Sequence, residues 1–493
     1  GDTLPATILS AVKAEIRQTD PDFDMSQLEF LLKMLWVNNS TYVSVSHIER
    51  LARVMSMYQH TQANGGIYLD IQPLSAQEGN EAARVMFGVS NPPQRDFLIQ
   101  VFEVFKRLNI GIKRSYTVTI SNGVYPTFLA TFYVTPRDGA VLDKESPRFR
   151  ELQNELYNTQ ILSSDSASFA NLVATGLMSG MDANLVKAMI TFTYTNLAHS
   201  QPERFDPGDV QRAFHHHPDI SLQLVKLFYA RFNPEWSVEQ REAQYTPLLK
   251  EVRETVANFN TGRRFLDETR RTIFQCAIGF ITHCLKTNFF VPEKHALAFR
   301  LDPVYLDELD PVFTADLPKE RPFRITFFSG RSGSGYHIGF SDIARGGWRT
   351  LMTQGHDDFV NSANTMFKEN YVLAHTQHLK NKDIYEGGSK MVAILNTRPG
   401  TPKATVLQYL YKLQFGFTHA FLDLFVTDST GKAKNPRVVD YYGEEEPIEL
   451  GPDENMHDVM IEIIARLAVK RGYVLGSGIM SSKQVGINHK EYG

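Results

Sequence analysis

After Pro322 the sequence alternates strand-like runs with helical stretches, and this alternation constrains the fold more than any other feature. The apolar run Phe323–Ser329 has the length and residue content of a buried strand. Gly330–Gly335 follows it and leads into more strand-like sequence, which indicates a turn and not a nucleotide-binding loop. Strands that alternate with helices pack into a helix-covered sheet, so residues 321–493 predict an α/β domain.

The middle of the chain, residues 146–320, carries apolar residues mainly at helical spacing, so we expect a helical packing domain there. The stretches with this spacing are Phe149–Leu162, Ala167–Leu177, Ala183–Leu197, Leu222–Phe232 and Phe265–Leu285. His215, His216 and His217 point in different directions on a helix or strand, so they cannot all bind one metal ion. We interpret them as a solvated turn and predict no metal site.

Residues 1–145 predict an α+β region. The order is a helical pair, a strand, a helix and a hairpin, which predicts a small sandwich with helices on one face. The segments are Met25–His60, Gly66–Ile71, Gln94–Leu108, Ile112–Ile120 and Thr127–Val134, with a turn at Asn122-Gly123. This order resembles the ACT-type modules found in regulatory parts of amino-acid enzymes, although an α+β spacer would have the same pattern.

Composition excludes several classes of protein. The chain has a formal net charge of -4 and scattered basic residues, so we expect no nucleic-acid partner. It lacks an uncharged apolar run of eighteen or more residues, so we expect no membrane span. Cys276 and Cys284 lie in one apolar helical stretch, as is usual for buried thiols of a reduced protein. The chain starts without the pattern of an export signal, and we expect a cytoplasmic protein.

Two cations flank a glycine pair in Ala344-Arg345-Gly346-Gly347-Trp348-Arg349. Glycine lets a backbone approach a ligand closely, and a guanidinium can grip a carboxylate with two hydrogen bonds. The motif therefore indicates an anionic substrate, although a solvated surface turn is the alternative.

Two lysines and an aspartate follow. Lys368 lies near the end of a predicted helix, Asp357–Asn370, where the helix dipole alone would explain a cation. Lys390 follows a predicted turn at Gly387-Gly388 and precedes the apolar strand Met391–Leu395, so it would point into a cleft or extend along the strand end to solvent. Asp453 would be the N-cap of a helix, beside the same cleft.

Taken in order, Ala344-Arg345-Gly346-Gly347, Phe367-Lys368, Gly387-Gly388-Ser389-Lys390 and Gly451-Pro452-Asp453 resemble the substrate-site motifs of glutamate dehydrogenases. Arginine in the first motif and the long N-terminal region are most similar to the large NAD-dependent members. The resemblance implies that Arg345 and Lys368, with Gly346 and Gly347, bind the two carboxylates of glutamate or 2-oxoglutarate. It also implies that Lys390 is the catalytic lysine, that Asp453 moves protons to and from the amino nitrogen, and that the enzyme is a homo-oligomer using NAD.

The NAD domain of that family is missing from this pattern, because no strand, glycine-rich turn and helix follow one another in the required way. Gly486–Gly493 is similar to the family's lead-in to that domain, so we expect a chain that stops short of it and is inactive alone. We assign no cofactor-binding residue. A regulatory amino-acid-binding module, with the three cations on a solvated edge, is the alternative; convergence of their side chains and Asp453 on one cleft would favour the enzyme.

Overall fold

The computed structural model describes residues 3–75, 81–93, 97–381, 384 and 386–480. These residues form two compact units, Gly1–Tyr157 and Asn158–Gly493. Gly486–Gly493, the predicted lead-in segment, lies outside the described residues. Among the described residues, no helix has both the length and the apolar character that crossing a bilayer requires.

The first unit is a four-stranded antiparallel sheet with helices packed on both faces. Its elements are α1 (Ala6–Thr19), α2 (Leu28–Asn38), α3 (Ser40–Val45), α4 (Ile48–Ala63), β1 (Ile67–Pro73), β2 (Ala83–Ser90), α5 (Phe97–Arg107), β3 (Ile110–Ser121), β4 (Pro126–Pro136) and α6 (Pro147–Asn158). The strand order is β1-β2-β4-β3. Strand β2 was not predicted.

Alternation along the strands explains the two helical layers of this unit. Phe87 on β2 and Phe132 on β4 lie in a core with α5 and α6. Met86 and Leu129, on the opposite face, lie in a core with α1, α2 and α4. The prediction of helices on one face is therefore wrong, because both sets of strand side chains are apolar enough to require cover.

The second unit is built on a seven-stranded mixed sheet within the described residues. Its strands are β5 (Cys284–Thr287), β6 (Leu297–Leu301), β7 (Arg324–Ser329), β8 (Gly333–Gly339), β9 (Ala344–Gln354), β10 (Gly387–Thr397) and β11 (Ile448–Pro452), in the order β11-β9-β10-β8-β7-β6-β5. β9, β10 and β11 run parallel to one another, and the other pairs are antiparallel. The prediction of mixed α/β structure after residue 320 is confirmed.

Helices cover both faces of this sheet. They are α7 (Gly180–Ala198), α8 (Pro207–His215), α9 (Pro218–Phe232), α10 (Val238–Ala257), α11 (Arg264–His283), α12 (Tyr305–Glu308), α13 (His356–Lys380), α14 (Lys403–Phe425) and α15 (Asp458–Arg471). Val392 and Ile394 of β10 pack in the core that includes α13, whereas Met391 and Ala393 pack in the core with α14 and α15. Lys390 therefore lies on the α13 face, because alternate strand residues share a face.

Three expectations for the middle of the chain are wrong. The predicted helix Ala167–Leu177 is reduced to a short segment centred on the π-helical Phe169–Val173. β5 and β6 were not predicted, and they add two strands to the sheet of the second unit. His215 is buried at the end of α8, and its Nε2 lies 2.9 Å from Ser168 Oγ, so it is not part of a solvated turn, whereas the exposed His216 does lie in the connection between α8 and α9.

Candidate functional site

Three parallel strands bring the predicted catalytic residues together. Gly347 of β9 lies between Lys390 of β10 and Gly451 of β11 in the strand registers. The Lys390 ammonium donates a hydrogen bond to Asp453 Oδ2, although the two residues are far apart in sequence. The Lys390 side chain is 15% exposed and that of Asp453 is 45% exposed, so the pair lies at the edge of solvent.

Two glycines in β9 have different neighbours. A methyl group at Gly347 would lie 3.0 Å from Lys390 Nζ and 3.2 Å from Asp453 Oδ2, so the missing side chain lets both groups lie close to the β9 backbone. A methyl group at Gly346 would lie 1.6 Å from the Ser389 carbonyl oxygen of the neighbouring strand. Gly346 thus permits the strands to approach, whereas Gly347 permits the two ionisable groups to approach β9.

Gly387 and Gly388 do not form the predicted turn. They are the first residues of β10 and pair with Ala344 and Arg345 of β9. A methyl group at Gly388 would lie 1.9 Å from the backbone nitrogen of His378, so the glycine is needed where the α13 backbone lies against the strand.

Asp453 follows β11 directly and is not the predicted N-cap. α15 begins at Asp458, and His457 occupies its N-cap position. The Asp453 backbone N–H donates to the Trp348 carbonyl oxygen at 3.1 Å, and this bond holds Asp453 against β9. Burial acts to raise the pKa of Asp453, but the hydrogen bond and charge of Lys390 outweigh it and lower the pKa below the usual range.

Arg345 is a strand residue on the same face as Gly347 and Lys390, and not part of a surface turn. Its Nε lies 3.7 Å from Oε2 of Glu449, its cross-strand neighbour on β11. The Arg345 side chain is half exposed, so the ion pair lies at the surface.

Lys368 lies in the middle of α13, because the helix continues to Lys380. The predicted dipole contact at a helix end is therefore wrong. Lys368 Nζ lies 3.6 Å from Asp316 Oδ2, and the same oxygen lies 2.9 Å from His199 Nδ1. The structure thus joins Lys390, Asp453 and Gly347 directly, whereas the ion pairs of Arg345 and Lys368 run to Glu449 and Asp316.

The ion pairs of Arg349 were not predicted from the sequence. This β9 residue lies two positions beyond Gly347 and so on the same face. Its Nη1 lies 3.0 Å from Glu369 Oε1 on α13, and its Nη2 lies 2.9 Å from Glu454 Oε2 beside Asp453. Arg349 stood out in sequence as the second cation of the motif, but its two partners are distant in sequence and no local pattern identifies them.

A buried charge cluster lies just before β11. Glu446 is fully buried and is contacted by three cations from successive strands: Lys286 of β5, Arg300 of β6 and Arg324 of β7. Burial acts to raise the pKa of Glu446, but these cations outweigh it and depress the pKa far below its usual range. The neighbouring Tyr441 N–H donates to the Leu285 carbonyl oxygen at 2.9 Å, so residues 440–446 lie against the sheet.

No group of three His, Cys, Asp or Glu side chains in the described ranges is arranged to hold a metal ion. Gly330–Gly335 contains the turn between β7 and β8 and the first residues of β8. The Gly330 N–H donates to the Gly333 carbonyl oxygen at 2.8 Å, so the predicted turn is confirmed. Lys390 and Asp453 bring an ammonium and a carboxylate into direct contact at the edge of solvent. Such a pair can stabilise developing negative charge and move a proton.

Residues 262–493 match the family model described as bacterial NAD-glutamate dehydrogenase, catalytic domain. The chain is 26% identical to the NAD-specific glutamate dehydrogenase of Neurospora crassa, over 94% of this chain and 47% of that protein. It is 31% identical to glutamate dehydrogenase 2 of Dictyostelium discoideum over 59% of this chain and 26% of that protein. The NAD-specific glutamate dehydrogenase of Saccharomyces cerevisiae is 34% identical over 42% of this chain and 18% of that protein. The chain thus spans less than half the length of these relatives.

Proposed function

We propose that this chain is part of a large NAD-dependent glutamate dehydrogenase, and that its second unit binds glutamate and provides the catalytic side chains of the enzyme. The reaction converts L-glutamate, NAD+ and water into 2-oxoglutarate, ammonium, NADH and a proton. The observation that carries the proposal is the Lys390–Asp453 pair, which lies close to the backbone of Gly347.

Lys390 and Asp453 have separate roles in this proposal. The Lys390 ammonium stabilises negative charge that develops near the reacting carbon and assists addition of water to the substrate imine. Asp453, held as a carboxylate by Lys390, accepts a proton from the substrate amino group and returns it later. Because the two side chains are in direct contact, a proton can pass between them without an intervening water molecule.

Arg345 and Lys368 bind the two substrate carboxylates in this proposal, with Lys368 on the α-carboxylate. Each cation now lies near a protein carboxylate, at 3.7 Å from Glu449 and 3.6 Å from Asp316. Ion pairs between solvent-exposed side chains are worth at most about 1 kcal/mol, so a substrate carboxylate can displace them at little cost.

NAD supplies the hydride acceptor when it is bound. Gly330–Gly335, the glycine-rich segment of the described chain, does not fit the pyrophosphate, because it joins two antiparallel strands and not a strand and a helix. No residue of the described chain is therefore assigned to NAD.

The first unit is proposed to be an ACT-like regulatory module. In chain order its elements β1, β2, α5, β3, β4 and α6 form a circular permutation of a βαββαβ unit, because the strand that would follow α6 in that unit is replaced by β1, which lies beside β2 in the sheet. Hydrogen exchange with and without individual amino acids tests this role, and protection confined to residues after 157 would contradict it. Homo-oligomeric assembly stays a prediction from the resemblance, and a cytoplasmic location stays a prediction from the sequence.

Replacement of Lys390 tests the catalytic proposal. In the complete enzyme, Lys390→Ala should leave the fold and NAD binding intact but lower turnover at saturating glutamate and NAD by about a hundredfold or more, equivalent to about 3 kcal/mol in the barrier. Lys380→Ala, at the exposed end of α13, is the matched control and should stay close to wild type. Near-normal turnover by a folded Lys390→Ala enzyme would defeat the mechanism.

A further inference from the structure

We propose that Arg349 is a positioning residue that fastens the turn carrying Asp453 to helix α13. The inference rests on the proposed function of Lys390 and Asp453 and deepens it. Arg349 reaches neither Lys390 nor Asp453 through a recorded hydrogen bond, so it acts on the site through the turn that follows β11.

The guanidinium of Arg349 spans two elements. One terminal nitrogen lies 3.0 Å from Glu369 of α13, and the other lies 2.9 Å from Glu454, which follows Asp453. The planar guanidinium presents several donors in a rigid fork, so one side chain can hold both carboxylates at once. Arg349 is 27% exposed, and its partial burial reduces the screening that weakens most surface ion pairs.

The turn is also held by β9 and α14, but through other contacts. The Thr350 N–H donates to the Glu454 carbonyl oxygen at 3.0 Å, and Asn455 Nδ2 donates to the Thr350 carbonyl oxygen at 2.7 Å. Gln414 Nε2 donates to the Asn455 carbonyl oxygen at 2.9 Å. These bonds fix the backbone after Asp453, whereas the Arg349 bridge adds a link to α13 on the side where Lys390 lies.

Arg349 also changes the electrostatics of Asp453. Its positive charge is among the influences that lower the pKa of Asp453, although it is weaker than the contact with Lys390. The charged groups near this carboxylate, by element, are Lys390 on β10, Arg349 and Arg345 on β9, Glu369 on α13, Glu449 on β11 and Glu454 in the turn. Loss of Arg349 therefore removes a cation from a region that also holds three carboxylates.

Hydrogen exchange of this chain measures the positioning role without any need for activity. In Arg349→Gln and Glu454→Gln, backbone amides of residues 453–457 should exchange at least severalfold faster than in wild type. Arg349→Lys should also exchange faster, because one ammonium cannot replace the guanidinium fork between two carboxylates. Arg466→Gln is the control, since Arg466 forms an exposed ion pair with Glu462 within α15.

The pH profile of the complete enzyme separates charge from position. Glutamate oxidation needs Asp453 ionised, so activity falls as pH drops through the Asp453 pKa. Arg349→Gln should raise that pKa and move the acid limb to higher pH, Arg349→Lys should keep it near wild type, and Glu454→Gln should move it to lower pH or leave it in place. All three variants should lose about tenfold or more in turnover, because small misplacement of a catalytic group is costly.

Two results would overturn the inference: unchanged exchange at residues 453–457 in Arg349→Gln, or turnover losses of Arg349→Gln and Glu454→Gln that simply add in the double variant. Faster exchange in a protein that never oxidises glutamate would instead support the positioning role and reject the proposed function. Normal exchange in an enzyme that oxidises glutamate would support the proposed function and reject the positioning role.

Discussion

Replacing the two neighbouring glycines of β9 by alanine should affect different properties: Gly347→Ala should lower activity, and Gly346→Ala should lower stability. The methyl group of Gly347→Ala would lie 3.0 Å from Lys390 Nζ and 3.2 Å from Asp453 Oδ2, both at the ends of side chains. The methyl group of Gly346→Ala would lie 1.6 Å from the Ser389 carbonyl oxygen, which belongs to the backbone of β10. One methyl group meets groups that can move, and the other meets a strand that cannot.

The magnitudes follow from these distances. Ordinary contacts begin at about 3.4 Å, so the Lys390 and Asp453 ends must yield by a few tenths of an ångström in Gly347→Ala. The fold should lose about 1 kcal/mol or less, but the methyl group occupies the space beside both reactive groups, and turnover should fall about a hundredfold. Gly346→Ala must separate two strands, and overpacking on that scale should cost about 3 kcal/mol or more.

Urea unfolding measures the loss of stability in both variants. Calorimetric titration with 2-oxoglutarate and turnover of the complete enzyme measure the loss of binding and activity. We expect Gly347→Ala to unfold like wild type but bind weakly, and Gly346→Ala to unfold at much lower urea. Equal stability losses in the two variants, or normal binding and turnover by Gly347→Ala, would refute the placement of the substrate beside Gly347.

Three further results are expected. Glu446→Gln should lower the free energy of unfolding by about 3–5 kcal/mol, because three buried cations lose their carboxylate; a loss below about 1 kcal/mol in urea would contradict this. Burial lowers the pKa of His337 to about 3, so the neutral form is kept in the fold, and stability falls as pH drops below the unfolded value of about 6.5. His337→Leu should remove about 2 kcal/mol of that fall between about pH 7 and pH 5, and equal pH slopes for both proteins would exclude it. Arg345→Lys should raise the glutamate KM more than it lowers kcat, because charge is kept but the two-pronged fit is lost; an unchanged KM removes Arg345 from the site.

The sequence predicted features that depend on local pattern. Phe323–Ser329 has the short apolar run of a buried strand, and β7 lies there. The motif order identified Lys390 and Asp453, and the two side chains are in contact. The strand-like residues after Gly330–Gly335 distinguished this segment from a nucleotide-binding loop, and β8 begins at Gly333.

Features that depend on distant partners were not predicted. Asp453 has the residue type and spacing of an N-cap, but its N–H is bound to Trp348 on another strand and the helix begins later. Lys368 was placed at a helix end, because nothing in the sequence shows that α13 continues to Lys380 against the sheet. The two partners of Arg349 lie on different elements, so only the folded arrangement identifies them.

The burial of Glu446 has a consequence for the order in which the second unit folds. Its partner Arg300 lies 146 residues earlier in the chain, and β11 with Asp453 follows Glu446 within a few residues. Contacts between such distant segments form late, since a long loop must close before they stabilise anything. During synthesis, the cations of β5–β7 therefore lack their carboxylate partner until residue 446 has been added. The Lys390–Asp453 pair forms in the same step. Early folding intermediates of this unit should accordingly have no substrate site.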